Sequence, residues 1–173
     1  MVPVSILTYK GQYMSRGSLE VTPDSVVVAG DPYLLESVKQ VYTTPIRHLD
    51  ISENVSGLTG IEPIKGVDIQ ARDVYYSIDV VRYVEFVSDA HVEAANVPAG
   101  KALMIFPSVA TLRMRCEFPL MDETEGQQTL YVDYNDFKES VGGHCLVRVK
   151  NLPKGVLSYE VEPVSVRCVE ESR

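Results

Sequence analysis

Apolar and polar residues alternate along much of this chain. Val74, Tyr76, Ile78 and Val80 fall on one side of a segment whose other side is Tyr75, Ser77 and Asp79. Leu130, Val132 and Tyr134 alternate in the same way against Tyr131 and Asp133. A period of two is that of a strand with one buried face. Ten tyrosines and many valines fit such strands, because aromatic and β-branched side chains suit a pleated, half-buried surface. Residues 31–40 break the pattern. Asp31 can cap a helix, Pro32 stands at its first position, and Leu34, Leu35 and Val38 recur at helical spacing. The expected architecture is all-β, with one short helix in the first half. Short turns are expected at 48–53 and 134–139, and an acidic loop without a helix at 120–128.

The turns carry a repeat. Asn96-Val97-Pro98-Ala99-Gly100 returns as Asn151-Leu152-Pro153-Lys154-Gly155. In both, proline presets φ and glycine supplies a positive φ at little cost. Each leads into a run of strand formers, 102–106 and 156–161. A proline corner follows, Pro107-Ser108-Val109-Ala110 or Pro163-Val164-Ser165-Val166, and then a closing strand. Weaker copies occupy the first half: Gly17 leads to Pro23-Asp24-Ser25-Val26, and Glu62-Pro63-Ile64-Lys65-Gly66 leads to Val74. Pro23 answers Pro107 at an offset of 84, and Val74 answers Val166 at 92. The fold-defining positions are therefore Pro23, Val26, Gly66, Val74, Pro98, Gly100, Pro107, Pro153, Gly155, Pro163 and Val166. A repeat of this length is a whole small domain rather than a solenoid unit. Two tandem domains are expected, 1–87 and 88–173, with no flexible linker composition between them.

Charge and composition narrow the function. The chain has 173 residues and a formal net charge of −8. That charge argues against a nucleic-acid partner, since phosphates are held by clustered Lys and Arg, and against attraction to anionic lipid. No stretch approaches the ~18 apolar residues of a membrane span, so a soluble chain is expected. The opening Val2-Pro3-Val4 already reads as strand, which suggests a piece of a longer protein. Cys116, Cys145 and Cys168 lack metal-ligand spacing. Each can lie on the apolar side of a strand, in Leu112-Met114-Cys116, Cys145-Val147-Val149 and Val164-Val166-Cys168. Buried free thiols are the simplest reading, and one disulfide among them stays open.

No catalytic constellation is visible. The sequence holds no nucleophile elbow, no phosphate-cradling glycine loop and no HExxH. His48, His91 and His144 are scattered, and the adjacent His144 and Cys145 would point to opposite faces of a strand. Asp122-Glu123-Thr124-Glu125 and Asp133-Tyr134-Asn135-Asp136 read more simply as solvated acidic segments than as calcium loops. Tyr33, Tyr42, Tyr75 and Tyr83 suit sheet positions as readily as an exposed aromatic patch for a partner. Arg113 with Arg115, and Arg148 with Lys150, suit cross-strand ion pairs. Neither an enzyme nor a cofactor is expected.

Thr22-Pro23-Asp24-Ser25-Val26-Val27-Val28-Ala29-Gly30, followed by the 34–38 helix and a 43–49 strand, resembles the opening of a YbbR-like domain. The Asn-x-Pro-x-Gly turns and the Phe106-Pro107-Ser108 corner resemble tandem repeats of that family in Bacteroidetes-type proteins. The resemblance covers nearly the whole chain and carries no catalytic signature. It implies two small β-rich domains of an extracytoplasmic protein, tethered through a transmembrane helix that this chain lacks. It also implies a protein partner: CdaR-type members of the family regulate the membrane-bound diadenylate cyclase that makes cyclic di-AMP. An envelope spacer, a carbohydrate- or small-molecule-binding β-domain, and self-association through exposed sheet edges are the alternatives.

Overall fold

The computed structural model describes residues 1–120 and 128–172. The chain divides into two compact units, Met1–Arg82 and Tyr83–Arg173. The division falls inside a strand, ahead of the boundary at residue 87 expected from the repeat.

The first unit runs β1 (Ser5–Tyr9), β2 (Tyr13–Ser15), β3 (Glu20–Thr22), β4 (Val28–Gly30), α1 (Pro32–Ser37), β5 (Ile46–Ile51), β6 (Val55–Gly60), β7 (Val67–Ile69) and β8 (Asp73–Ile78), and ends in the first residues of β9 (Val80–Ala95). β3 and β6 flank β8, β4 pairs with β7, and β1 runs parallel to β5. The remainder of β9 opens the second unit. There it is followed by β10 (Lys101–Phe106), β11 (Val109–Glu117), β12 (Thr129–Asp133), α2 (Tyr134–Glu139), β13 (His144–Leu146), β14 (Arg148–Lys150), β15 (Val156–Glu162) and β16 (Ser165–Ser172). β10 and β13 flank β16, and the order β14-β12-β9-β11-β15 makes the other sheet.

Both units are built on one device, a long two-stranded ribbon folded over at a corner. In the second unit the ladder runs from Lys101↔Ser172 to Phe106↔Arg167, then resumes as Thr111↔Glu162 to Arg115↔Ser158. Partner numbers total 273 throughout, so the register survives the corner. In the first unit Glu20↔Ser77 to Thr22↔Tyr75 continues as Val28↔Ile69 to Gly30↔Val67, with a constant total of 97. Adding 84 to the first strand and 92 to the second converts Val21↔Tyr76 into Ile105↔Cys168, and Val28↔Ile69 into Leu112↔Val161. These are the offsets visible in the turn residues. Pro23, Pro107 and Pro163 stand at the bends, each after a cis peptide. Strands change sheets at such bends, and a residue without an N–H forfeits no ladder bond there.

The turns between strands use the residues their dihedrals require. Gly66, Gly100 and Gly155 have φ of 79°, 81° and 83°, and Asn96 and Asn151 both stand at 59°. Pro98 O accepts the Lys101 N–H and Ile64 O accepts that of Val67. Each closes a turn of the type that needs a positive φ at its third residue.

Alternation decides what each unit buries. Val74, Tyr76 and Ile78 face the first unit's interior, whereas Tyr75 is exposed. Leu112, Met114, Cys116, Leu130, Val132 and Val166 meet in the core of the second unit. Each such side chain contributes roughly 1.5–3 kcal/mol relative to exposure. All three cysteines are free thiols inside this core. Burial, and a side-chain hydrogen bond with Cys145, push the Cys168 thiol up to about 12.

Four local expectations need correction. Residues 134–139 are not a turn but the helix α2, because Asp133 caps it by accepting the Asn135 N–H at 2.8 Å while Tyr134 is buried. A helix therefore exists in each unit. Residues 48–51 belong to β5 rather than to a turn, although the strand is irregular there: Asp50 stands at φ 54° and the parallel register with β1 shifts between Leu7↔His48 and Tyr9↔Ile51. The helix expected over 31–40 forms, with Asp31 as its cap and Pro32 in its first turn, but it is shorter: α1 ends at Ser37, Val38 is its C-cap, and none of its six residues is buried. Val164 is 65% exposed, because it lies in the corner before β16, while Val166 and Cys168 are buried. The expected loop at 120–128, with Asp122, Glu123, Thr124 and Glu125, falls almost wholly outside the described residues.

Candidate functional site

The second unit contains an open groove of about 1000 Å³. Its walls come from opposite ends of the unit's larger sheet. β14 is one edge of that sheet and β15 the other, and residues of both line the groove. Val147 and Val149 form one wall. Tyr159 and Val161 belong to the other, and Tyr131 joins from β12. One end is closed where the Val147 N–H bonds Val164 O at 2.9 Å, next to the β13–β16 ladder. Leu146, Tyr159 and Val164 are 58%, 47% and 65% exposed at the rim. Exposed apolar side chains gathered along one groove mark a contact surface more than scattered ones would.

The basic residues near the groove are already engaged, whereas Glu160 and Glu162 on its β15 wall are exposed. Arg148 bonds Asp136 at 2.6 Å, and Lys150 lies 5.5 Å from the Tyr131 ring centroid. On β11, Arg113 and Arg115 grip Glu85 of β9. Those two hydrogen bonds hold the Glu85 carboxyl below its ordinary value. Elsewhere in the unit, Tyr134 and Lys101 donate to Glu170 and lower its carboxyl in the same way. The Asn135 backbone N–H, with help from the Asn96 amide, lowers Asp133. These carboxylates stabilise a helix cap and cross-strand pairs.

Two concavities are formed by first-unit residues among those described. A polar cleft of about 570 Å³ is lined by Arg16, Glu20, Asn54 and Tyr75 among others. Arg16 there pairs with Asp79 at 2.6 Å, and Asn54 accepts the Val80 N–H. The second is a hollow of about 240 Å³ lined by Ile61, Pro63, Val67, Ile69, Ala71 and Arg72. It occupies the position of the large groove in the other unit: Ile61 N–H bonds Arg72 O at 3.2 Å, as Val147 bonds Val164.

The residues singled out in the sequence divide cleanly. Pro23, Pro107, Pro163, Val26, Val74 and Val166 lie at or beside the corners, and Val74 and Val166 are each 1% exposed. Gly66, Gly100, Gly155, Pro98 and Pro153 shape strand-joining turns, and Pro163 also lines the groove. His144 is exposed while Cys145 is buried, on opposite faces of β13. His48 bonds the Tyr76 hydroxyl at 2.8 Å. Of the four tyrosines considered for a patch, Tyr75 lines the polar cleft and Tyr83 lies under the Arg115 guanidinium. Among the described residues no group of three or more His, Cys, Asp or Glu is placed to hold a metal, and no helix is long and apolar enough to cross a membrane. The groove itself was not anticipated, because its walls meet only when the sheet brings β14 and β15 face to face.

No protein-family model matches the chain, and neither a curated protein nor a solved structure matches it.

Proposed function

We propose that this chain is a non-catalytic protein-interaction module of the YbbR-like kind. In this reading it is the extracytoplasmic part of a membrane-anchored protein and acts on a membrane partner, a diadenylate cyclase being the type of partner the resemblance implies. One observation carries the reading: the same bent-ribbon design occurs twice, and one copy holds open an apolar groove with exposed Leu146, Tyr159 and Val164 at its rim. The basic groups near that groove are tied into ion pairs, while Glu160 and Glu162 stand exposed along its β15 wall, which leaves apolar surface, strand edges and negative charge as its means of contact.

Photo-cross-linking from position 164 in the full-length anchored protein tests this directly. Covalent capture of a membrane protein supports it, and capture of none contradicts it. The polar cleft around Tyr75 favours a second reading, a carbohydrate-binding domain, because a ring flanked by hydrogen-bonding side chains suits sugars. Oligosaccharide binding that is lost in Tyr75→Ala would establish it.

A further inference from the structure

The groove of the second unit is bounded by two strand edges, and that determines what can fill it. Among the described strands, β14 pairs only with β12, and β15 only with β11. The outer backbone edges of both border the groove, and at its end the Val147–Val164 bond leads into the paired β13 and β16. A strand edge presents a row of N–H and C=O groups that another strand satisfies well and an apolar small molecule does not. Leu146, Val147 and Val149 line the groove together with Arg148, whose guanidinium reaches Asp136. This wall therefore offers apolar side chains beside a free backbone edge.

The counterpart in the first unit lacks this property. Its wall carries Pro63 two residues after Ile61, where the second unit carries Val149 two residues after Val147. Proline has no N–H to give an incoming strand, and natural sheet edges are protected in that way. The hollow there is also only about 240 Å³. One unit guards the edge and the other leaves it open.

We propose that the slot between β14 and β15 receives an extended segment of a partner protein as an added strand. The segment has apolar residues at alternate positions facing Val149 and Val161. Glu160 and Glu162, exposed on β15, favour Lys or Arg at its remaining positions. This identifies the docking mode of the interaction module proposed above and rests on that reading.

The test selects short linear peptides displayed on phage against the whole chain. Binding is then compared with the Leu146→Arg and Val164→Arg variants, both at exposed positions and each required to keep the parent denaturation midpoint. Enriched peptides should alternate apolar and polar residues and bind each variant about tenfold more weakly or worse. N-methylation of alternate peptide nitrogens should weaken binding comparably, and amides of β14 and β15 should gain protection from hydrogen exchange. Strand insertion is overturned by absence of enrichment, by equal binding to the variants, by tolerance of N-methylation, or by protection confined to the first unit. Failure here alongside successful capture of a membrane partner by cross-linking would remove the slot and keep the interaction module. Peptide binding without any membrane partner would do the reverse.

Discussion

The two units share a ladder register and differ in what they do with it. In the second unit the inner faces of β11, β12, β13 and β16 fill one core of long aliphatic, sulfur and aromatic side chains. In the first, the interior is thinner: Ile51, Ile78 and Val80 form a cluster, the polar Thr43 and Thr59 are among the unit's buried residues, and Tyr76 bonds His48 where the second unit has Cys168. The smaller core accompanies a small, proline-guarded hollow, and the larger core accompanies an open groove. A duplicated backbone thus permits one copy to specialise, because the corner prolines and turn glycines fix the ribbon while the faces between them are free to vary.

The comparison can be pressed hardest at Leu130, which is fully buried. Leu130→Ala should cost ~3–4 kcal/mol in the second unit's urea unfolding. The first unit's transition should move far less. A pair of equivalent glycines comes next. Gly143 has a φ of +72°, and a Cβ there would stand 2.5 Å from the Cys168 carbonyl oxygen. At Gly57 the nearest atom would be the Tyr76 hydroxyl, at 2.9 Å, the far end of a side chain. Gly143→Ala should therefore cost ~3 kcal/mol and Gly57→Ala ~1 kcal/mol, read by the same unfolding curves. At Gly100 and Gly155 a Cβ meets nothing within 4 Å. Alanine at either should cost only the positive-φ strain, about 1 kcal/mol, and the two values should agree because the turns have the same geometry.

Acid and alkali should sharpen the contrast further. Glu85, Glu170 and Asp133 have lowered carboxyls, all in the second unit. The unfolded chain takes up these protons first as pH falls, so their contribution is present at neutral pH and lost through and below the ordinary carboxylate range. The second unit's denaturation midpoint should drop in that window, and Glu85→Gln should flatten the drop. Cys168 has the opposite sign. Its thiol rises from 9.0 to about 12, so its contribution is complete below pH 9 and is lost as pH rises from there toward 12. Cys168→Val should flatten that alkaline limb.

Much of this design is legible in the sequence. The offsets of 84 and 92 between matching turn residues are the register shifts of the ladders, because a proline corner and a positive-φ glycine fix where a strand starts and ends. Alternation placed Val74, Tyr76, Leu130 and Val132 inside for the same reason. The failures are non-local. β5 depends on its parallel partner β1, which no local pattern reveals. α2 was within reach: Asp133 ahead of Asn135 is a helix-capping signal, masked by the strand-like alternation running into Tyr134. Val164 looked like the next inward residue of a strand, yet the corner before β16 turns it to the rim. The groove could be found only through the contrast of Pro63 with Val149, a contrast without meaning until the two positions are known to be equivalent.

The central claim is that function is concentrated on one face of one unit. A charge scan of exposed positions in both units of the full-length protein tests it, reading capture of the membrane partner by cross-linking. The account predicts loss at Leu146, Tyr159 and Val164, and little effect at exposed first-unit positions such as Tyr33, Leu49 and Leu58. Uniform silence would make the tandem units a spacer, and sensitivity spread evenly over both units would contradict the account.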